Sequence, residues 1–337
     1  MHACSCGPYG RVVHSRAFTA PLGALVRDRE GQQFRVSPGL RAALQRDNSH
    51  MSSDATPSVL VTTEPKSGDE ASARRLCEAL CGHGVRATFA PRRSGESIAK
   101  MLAAADAANA VVVGARGAVL RRADGTECRL HGGMGVLRVR TLQRGERDPL
   151  VDVCGLREGD TFVDATAGQL SDALVAAHAV GATGRVLAME SSPLLWAVTS
   201  LRPARTGQPM VDALLTDRVS VALGDHTALL AAMPADSADV VYFDPMYQAP
   251  AHAKHAPGFE VVRAVACAAP LSAAALAEAR RVARRRVVVK DQRGGAELER
   301  LGLRVEHEGP RQRFGVLDCA AGGAASEPAR KRARDEG

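Results

Sequence analysis

Read for its apolar and polar positions, the chain changes character near Val59. Upstream, residues 1–56 mix Gly, Pro, Ser and Arg without a sustained period. Downstream, short β-branched runs alternate with amphipathic stretches. Val59-Leu60-Val61-Thr62-Thr63 predicts a strand. Asp69 to Cys81 predicts a helix with Ala73, Leu76, Cys77 and Leu80 on one face, ended by Gly82 and Gly84. Val85–Phe89 is the next strand. Ser94 to Ala108 is the next helix, with Ser94 and Ser97 as candidate caps and Ile98, Met101 and Leu102 facing inward. Ala110–Gly114 closes a βαβαβ unit, whose right-handed crossovers give a small parallel sheet of its own. Residues 118–136 read as a hairpin turning at Asp124-Gly125. Leu137 to Gly155 leads onward and contains Arg138, Arg140, Arg144 and Arg147, a basic run that reads as a solvated face.

From residue 156 strands and helices alternate at the spacing of a doubly wound sheet. The strands are Thr161–Asp164, Arg185–Met189, Val219–Leu223, Asp239–Phe243 and Arg286–Lys290. Leu303–Glu306 and Phe314–Leu317 follow as an antiparallel pair at the sheet edge. Helices are expected from Leu170 to Val180, from Ser191-Ser192-Pro193, from Ser272 to Ala283 and from Ala296 to Leu301. Residues 248–270 form a connection too long for an ordinary loop. The expected architecture is α/β, a doubly wound, Rossmann-like seven-stranded sheet behind a small N-terminal α/β unit. Residues 1–56 are an extension, 57–147 the small unit, 148–319 the main domain and 320–337 a basic tail.

Composition narrows this picture in three ways. Apolar residues make up 45% and charged residues 24%, which suits a soluble globule. Aromatics are 3%, so Ala, Val and Leu must build the core. No run approaches the roughly 18 apolar residues of a membrane span, and no membrane partner is expected. The net charge of +7 is concentrated outside the predicted domains: residues 1–50 hold seven arginines against three acids. The interior has too little surplus to announce a nucleic-acid binder, so an RNA partner must be argued from the site. The Arg-rich, acid-poor start reads as an organelle transit peptide or as a plain extension with Met51 as a second start. The compartment is then an organelle or the cytoplasm. Arg330-Lys331-Arg332-Ala333-Arg334 reads as a solubilising tail. Eight cysteines are scattered without a pair of pairs, so no metal is expected.

The chemistry gathers at strand ends. Asp164 with Gly168, Glu190, Asp225 with His226, and Asp244 with Pro245 and Tyr247 each follow a predicted strand. Ligands of open α/β sheets bind outside the carboxyl ends of the strands. Any one of these carboxylates reads as a turn residue. Four in succession are costly to bury without a donor-rich ligand. Gly168-Gln169-Leu170-Ser171-Asp172 offers a single glycine beside an acid, which disfavours a pyrophosphate. It favours a ligand bearing an ammonium and a sulfonium, S-adenosylmethionine. Asp164 and Asp172 then lie near the amino-acid end. Glu190 accepts the ribose hydroxyls, Asp225 takes the adenine amine and His226 flanks the ring. Asp244 and the Pro245 carbonyl are placed to accept the hydrogens of an exocyclic amine, with Tyr247 stacked on its ring.

Asp164-Ala165-Thr166-Ala167-Gly168 with Ser171-Asp172, then Tyr242-Phe243-Asp244-Pro245-Met246-Tyr247, then Arg286–Lys290, resembles ribosomal small subunit methyltransferase J over about residues 156–318. Residues 59–155 look like the N-terminal part of bacterial relatives of that enzyme. The resemblance implies a class I methyltransferase sheet and methylation of a guanine N2 amine in small-subunit rRNA. Its cofactor contacts fall on Ser171, Asp172, Glu190, Ser191, Asp225, His226 and Asp244. Leu170-Ser171-Asp172 and Asp225-His226 depart from the usual family residues, and so does the stretch after Tyr247. Rival readings are the same chemistry on another amine, of DNA adenine or of protein Gln or Asn, and a non-catalytic cofactor-binding ribosome assembly factor. Oligomeric state has no signal in the sequence.

Overall fold

A computed structural model describes residues 58–130, 133–200, 208–246 and 259–319. Strand β1 (Ser58–Thr63) is buried at all six positions and pairs in parallel with β2 (Ala87–Phe89) and β3 (Ala107–Gly114). Helix α1 (Glu70–Gly82) buries the four expected residues. Helix α2 (Ile98–Ala104) starts where the Ser97 hydroxyl accepts the Lys100 N–H. The chain then turns back as β4 (Gly117–Arg122) and β5 (Glu127–Arg129), both antiparallel. Their turn is the expected Asp124-Gly125, with Asp124 Oδ1 accepting from the Thr126 N–H and Gly125 at φ 84°. The small unit is thus a five-stranded sheet of order β2-β1-β3-β4-β5.

The second sheet has seven strands: β6 (Thr161–Asp164), β7 (Arg185–Glu190), β8 (Val219–Leu223), β9 (Ala238–Phe243), β10 (Ala283–Gln292), β11 (Arg304–Glu308) and β12 (Gln312–Asp318). Their order is β11-β12-β10-β9-β6-β7-β8, parallel from β10 to β8 and antiparallel at β11 and β12. The chain runs outward from β6 through β7 to β8, then returns to the other side of β6 as β9. The direction of winding therefore reverses between β6 and β9, the place where such sheets bind ligands.

Alternation along each strand divides the interior. Val240 and Tyr242 of β9 face one cluster, with Phe162, Val288 and Phe314, while Val241 and Phe243 face the other, with Val163, Val287 and Val289. The first cluster also takes in Val59, Val61, Val111 and Val113 from the small sheet. Leu60, Ala110 and Val112 point the opposite way, onto α2. One apolar interior is therefore shared by both sheets.

Several helices lie where no helical period is legible. The basic lead-in contains α3 (Gly133–Gln143) and α4 (Pro149–Cys154). Helix α3 buries Val136 and Val139 but exposes Met134 and Leu137, so apolar residues fall on opposite faces and the pattern cancels. Helix α5 (Ser171–Ala179) is buried continuously from Asp172 to Ala177. Helices α6 (Pro193–Ser200), α7 (Pro209–Arg218) and α8 (His226–Ala231) follow β7 and precede or follow β8. Of the long connection, residues 259–265 form α9 (Phe259–Val265), and 247–258 lie outside the described residues. Helices α10 (Ala273–Val282) and α11 (Glu297–Arg300) complete the chain. The extension 1–56 and the tail 320–337 also lie outside the described residues.

Candidate active site

The loop after β6 is built from backbone bonds to its two neighbours. Ala165 N–H donates to the Tyr242 carbonyl and Ala167 N–H to the Met189 carbonyl, each at 2.9 Å. Asp164 Oδ1 accepts from the Thr166 N–H at 3.1 Å, and Thr166 Oγ1 accepts from the Asp244 N–H at 2.6 Å. That last bond ties the end of β9 to the loop after β6. Gly168 sits at φ 49°, and its N–H donates to Glu190 Oε2 at 2.9 Å. Glu190 Oε1 accepts from the Ser192 N–H at 2.7 Å. With Ser191 as a third backbone donor, the two oxygens of Glu190 keep one lone pair between them for a ligand.

The four expected strand-end loci stand together. Asp164, Glu190, Asp225 and Asp244 end β6, β7, β8 and β9, which are neighbours in the sheet. Gly168, Ser171 and Asp172 lie in the β6–α5 connection and first turn, beside them, with Ser191 exposed after Glu190. Asp225 caps α8, its Oδ1 accepting from the N–H groups of Thr227 and Ala228. The His226 ring packs edge-on to Phe243 with centroids 5.5 Å apart, and burial lowers its pKa, so the ring is neutral. Pro245 is buried, and Tyr247 lies outside the described residues.

Asp172 has company that the sequence did not announce. Its Oδ2 accepts from the Tyr242 hydroxyl at 2.8 Å and lies 3.3 Å from Lys290 Nζ, while its Oδ1 pairs with Arg138. Lys290 Nζ also meets Asp244 Oδ2 at 2.7 Å. Arg138 grips both oxygens of Asp148 at 2.8 Å. The expectation of Arg138 as part of a solvated basic face is corrected: helix α3 carries it into the site, held close because Gly135 packs on the Ser171 backbone. The other arginines of the run have partners of their own, Gln208 for Arg140, Glu146 for Arg144 and Asp152 for Arg147.

Strand geometry explains the meeting. Phe243 pairs with Val289, so the next residues along the two parallel strands, Asp244 and Lys290, come side by side. Asp164, Asp244 and Lys290 share the parity of Phe162, Tyr242 and Val288, and hence the sheet face that α5 covers. Lys290 and Tyr242 carry a weak signal in the sequence, as polar groups on otherwise apolar central strands. Arg138 carries none.

The electrostatics follow from burial and neighbours. Burial, aided by the negative Asp172, pushes Asp164 up to about 8, and burial pushes Glu190 up to about 7 against its backbone donors. Burial would raise Asp172 too, but Lys290 and Arg138 outweigh it and hold the carboxyl well below the usual range. Burial raises Asp244, with Lys290 opposing. Among the described residues no group of three or more His, Cys, Asp or Glu is arranged to hold a metal, and no helix is long and apolar enough to cross a membrane.

The site is therefore a row of carboxylates at a topological switch point, three of them carrying raised pKa values that a cationic, donor-rich ligand would relieve. Residues 131–318 match the model of a family described as "Putative SAM-dependent methyltransferase". The chain belongs to this methyltransferase family. The protein described as "Uncharacterized protein YpiP" of Bacillus subtilis is 34% identical over 215 residues, 63% of this chain and 82% of that one. "Ribosomal RNA small subunit methyltransferase J" of Laribacter hongkongensis is 36% identical over 161 residues, 46% of this chain and 55% of its own length. The crystal structure of a SAM-dependent methyltransferase from Neisseria gonorrhoeae superposes with a TM-score of 0.50 at 22% identity, covering 79% of this chain and 97% of that one. This likeness shows the fold, including the Rossmann-like sheet. Family and fold imply S-adenosylmethionine as the methyltransferase's cofactor, and the residues fit it: a spare lone pair on Glu190, an imidazole of lowered pKa at His226, and carboxyls at Asp164 and Glu190 whose raised pKa values a cationic ligand would lower.

Proposed function

We propose that this methyltransferase modifies an exocyclic amine of RNA, the N2 group of a guanine in small-subunit rRNA. The observation that carries the reading is Asp244. Its carboxylate stands at the end of β9, 33% exposed, on the same face as the cofactor-side carboxylates and tied through Thr166 to their loop. An ionised carboxylate there only accepts, so it favours a donor-bearing nucleophile such as an amine over a bare carbonyl. The rRNA reading draws support from the relatives named ribosomal RNA small subunit methyltransferase J.

S-adenosylmethionine supplies an electrophilic methyl group on a sulfonium centre. Glu190 would hold the ribose through the lone pair its three backbone bonds leave free. Asp225 and His226 border the adenine, and Gly168 lets the backbone approach. Ser171 and Ser191 border the ligand as hydroxyl partners. Asp172, whose oxygens already serve Arg138, Tyr242 and Lys290, contributes fixed negative charge rather than a direct ligand bond. Asp244 and the Pro245 carbonyl accept the hydrogens of the target amine, whose lone pair is delocalised into its ring. Holding those hydrogens favours a pyramidal nitrogen, and the carboxylate offsets the positive charge that develops there. The surplus proton on nitrogen then passes to Asp244 and on to water. A base in a duplex must be flipped out to reach this point, with Tyr247 as its stacking partner.

Transfer of tritiated methyl to separated RNA, DNA and protein fractions tests the substrate class. Label is expected in small-subunit rRNA, and mapping the modified nucleotide tests the base. Asp244→Asn is expected to lower kcat and kcat/KM together while changing cofactor affinity less. Label in DNA or protein instead, or an Asp244→Asn protein that is destabilised yet fully active, would remove the proposal.

A further inference from the structure

The candidate active site contains a cation that the amine reading leaves without a task. Lys290 lies on the central strand β10, its side chain 19% exposed, with Nζ 2.7 Å from Asp244 Oδ2 and 3.3 Å from Asp172 Oδ2. Buried lysines are costly and need partners, and two acids of the site stand among those of Lys290. The two acids pull its pKa up against burial, so it is an ammonium with no role as a base. Asp172 is already served by Arg138 and by the Tyr242 hydroxyl. Among the described residues, Asp244 has Lys290 as its cationic partner at Oδ2, and Oδ1 takes no donor. We propose that Lys290 is a positioning residue for methyl transfer: it clamps Asp244 by Oδ2, keeps that carboxylate ionised, and turns Oδ1 toward the incoming amine.

The rest of the surroundings work against an ionised Asp244. Asp172 of α5 adds negative charge, Asp164 of β6 holds its proton, Glu190 of β7 lies beyond Asp164, and Tyr242 of β9 is a neutral neighbour. Arg138 of α3 is the second positive group, but it is committed to Asp148 and Asp172. Thr166 contacts the Asp244 backbone rather than its carboxyl. Without Lys290, desolvation and Asp172 act on Asp244 with Arg138 alone opposing them. The balance then moves toward the protonated form, and a protonated carboxyl presents a donor where the amine needs an acceptor. Asp172 would in turn lose one of its three donors.

This inference rests on Asp244 being the amine acceptor, and the test separates the two. In protein labelled with carboxyl-¹³C aspartate, Asp244→Asn assigns the Asp244 resonance, and a pH titration gives its midpoint. Lys290→Met is expected to raise that midpoint by about one pH unit or more, and Lys290→Arg to leave it nearly unmoved. With an unmodified small-subunit rRNA transcript and tritiated S-adenosylmethionine, the acid limb of kcat/KM should move with the midpoint. The methionine variant then loses about tenfold or more below the new limb and recovers at high pH, while cofactor affinity by calorimetry stays within about threefold. If Lys290→Met does not fold, Lys290→Gln takes the same measurements. An unmoved midpoint, a moved midpoint with an unmoved acid limb, or an arginine variant that behaves like methionine overturns the inference. Wild-type protein inert on the transcript, with the midpoint still moving, counts against the RNA reading and leaves the hold on Asp244 standing.

Discussion

A carboxyl group at the end of a buried strand must either find donors or keep its proton, and Asp164 does the second. Its pKa of about 8 in the folded chain compares with an ordinary value near 4 once unfolded, roughly. A group whose folded pKa is raised stabilises the fold below its unfolded pKa and loses that contribution as pH rises through its folded pKa. Stability is therefore expected to decline from about pH 4 to about pH 8, where unfolding releases the proton that Asp164 holds, and to level off above that. Asp164→Asn keeps an oxygen for the Thr166 N–H and carries no charge, so its melting temperature should fall less over that range. Scanning fluorimetry of both proteins from about pH 4 to about pH 8 decides it, and parallel curves would refute the assignment. Asp164, Glu190 and Asp244 were legible in the sequence because each is a charge that stops an apolar run. Arg138 was not. Its acids lie 10 and 34 residues away, and an arginine among arginines looks like surface.

At the scale of elements, the contact between α3 and α5 decides whether Arg138 reaches Asp172. A Cβ on Gly135 would stand 2.5 Å from the Ser171 carbonyl oxygen and 2.9 Å from its Cα. Both are backbone atoms and cannot swing aside. Alanine favours helix over glycine by about 1 kcal/mol, whereas overpacking costs about 1–3 kcal/mol, so the clash is expected to win. Gly135→Ala should lower the melting temperature by a few degrees and weaken cofactor binding, as α3 lifts Arg138 off Asp172. Met134→Gln, at an exposed position on the same helix, should change neither. A Gly135→Ala protein as stable as the parent would show that α3 is free to shift. The strands and the helices α1, α2, α5 and α10 were legible from their alternation and their Ser or Gly ends. Helix α3 was not, since its inward face includes a glycine, chosen for nearness rather than for apolar character. Helix α7 is similarly weak in pattern, with charged and apolar residues intermixed.

Across the whole molecule, the sheet order follows the alternation read from the sequence, but the joining of the two sheets does not. Valines of β1 and β3 enter the same apolar cluster as α5, α6 and the inner face of the seven-stranded sheet. Nothing in a single sequence says which exposed-looking face meets which. The Gln169 side chain next to Gly168 also reaches Cys128 of β5, 2.9 Å from its sulfur, so the small sheet touches the cofactor loop itself. Full-length protein should therefore unfold in one calorimetric transition. A fragment of residues 148–319, cut between α3 and α4, should show no cooperative transition of its own. Two resolved transitions, or a fragment that melts cooperatively, would show that the first sheet is an independent body. The Lys290 clamp has a further consequence during synthesis. Asp172 leaves the ribosome more than a hundred residues before Lys290, and Asp244 leaves 46 residues before it. Until β10 emerges and inserts beside β9, the two acids have Arg138 as their one common cation. A nascent chain of this protein thus lacks half the positive charge at its centre, and the arrival of one strand supplies it.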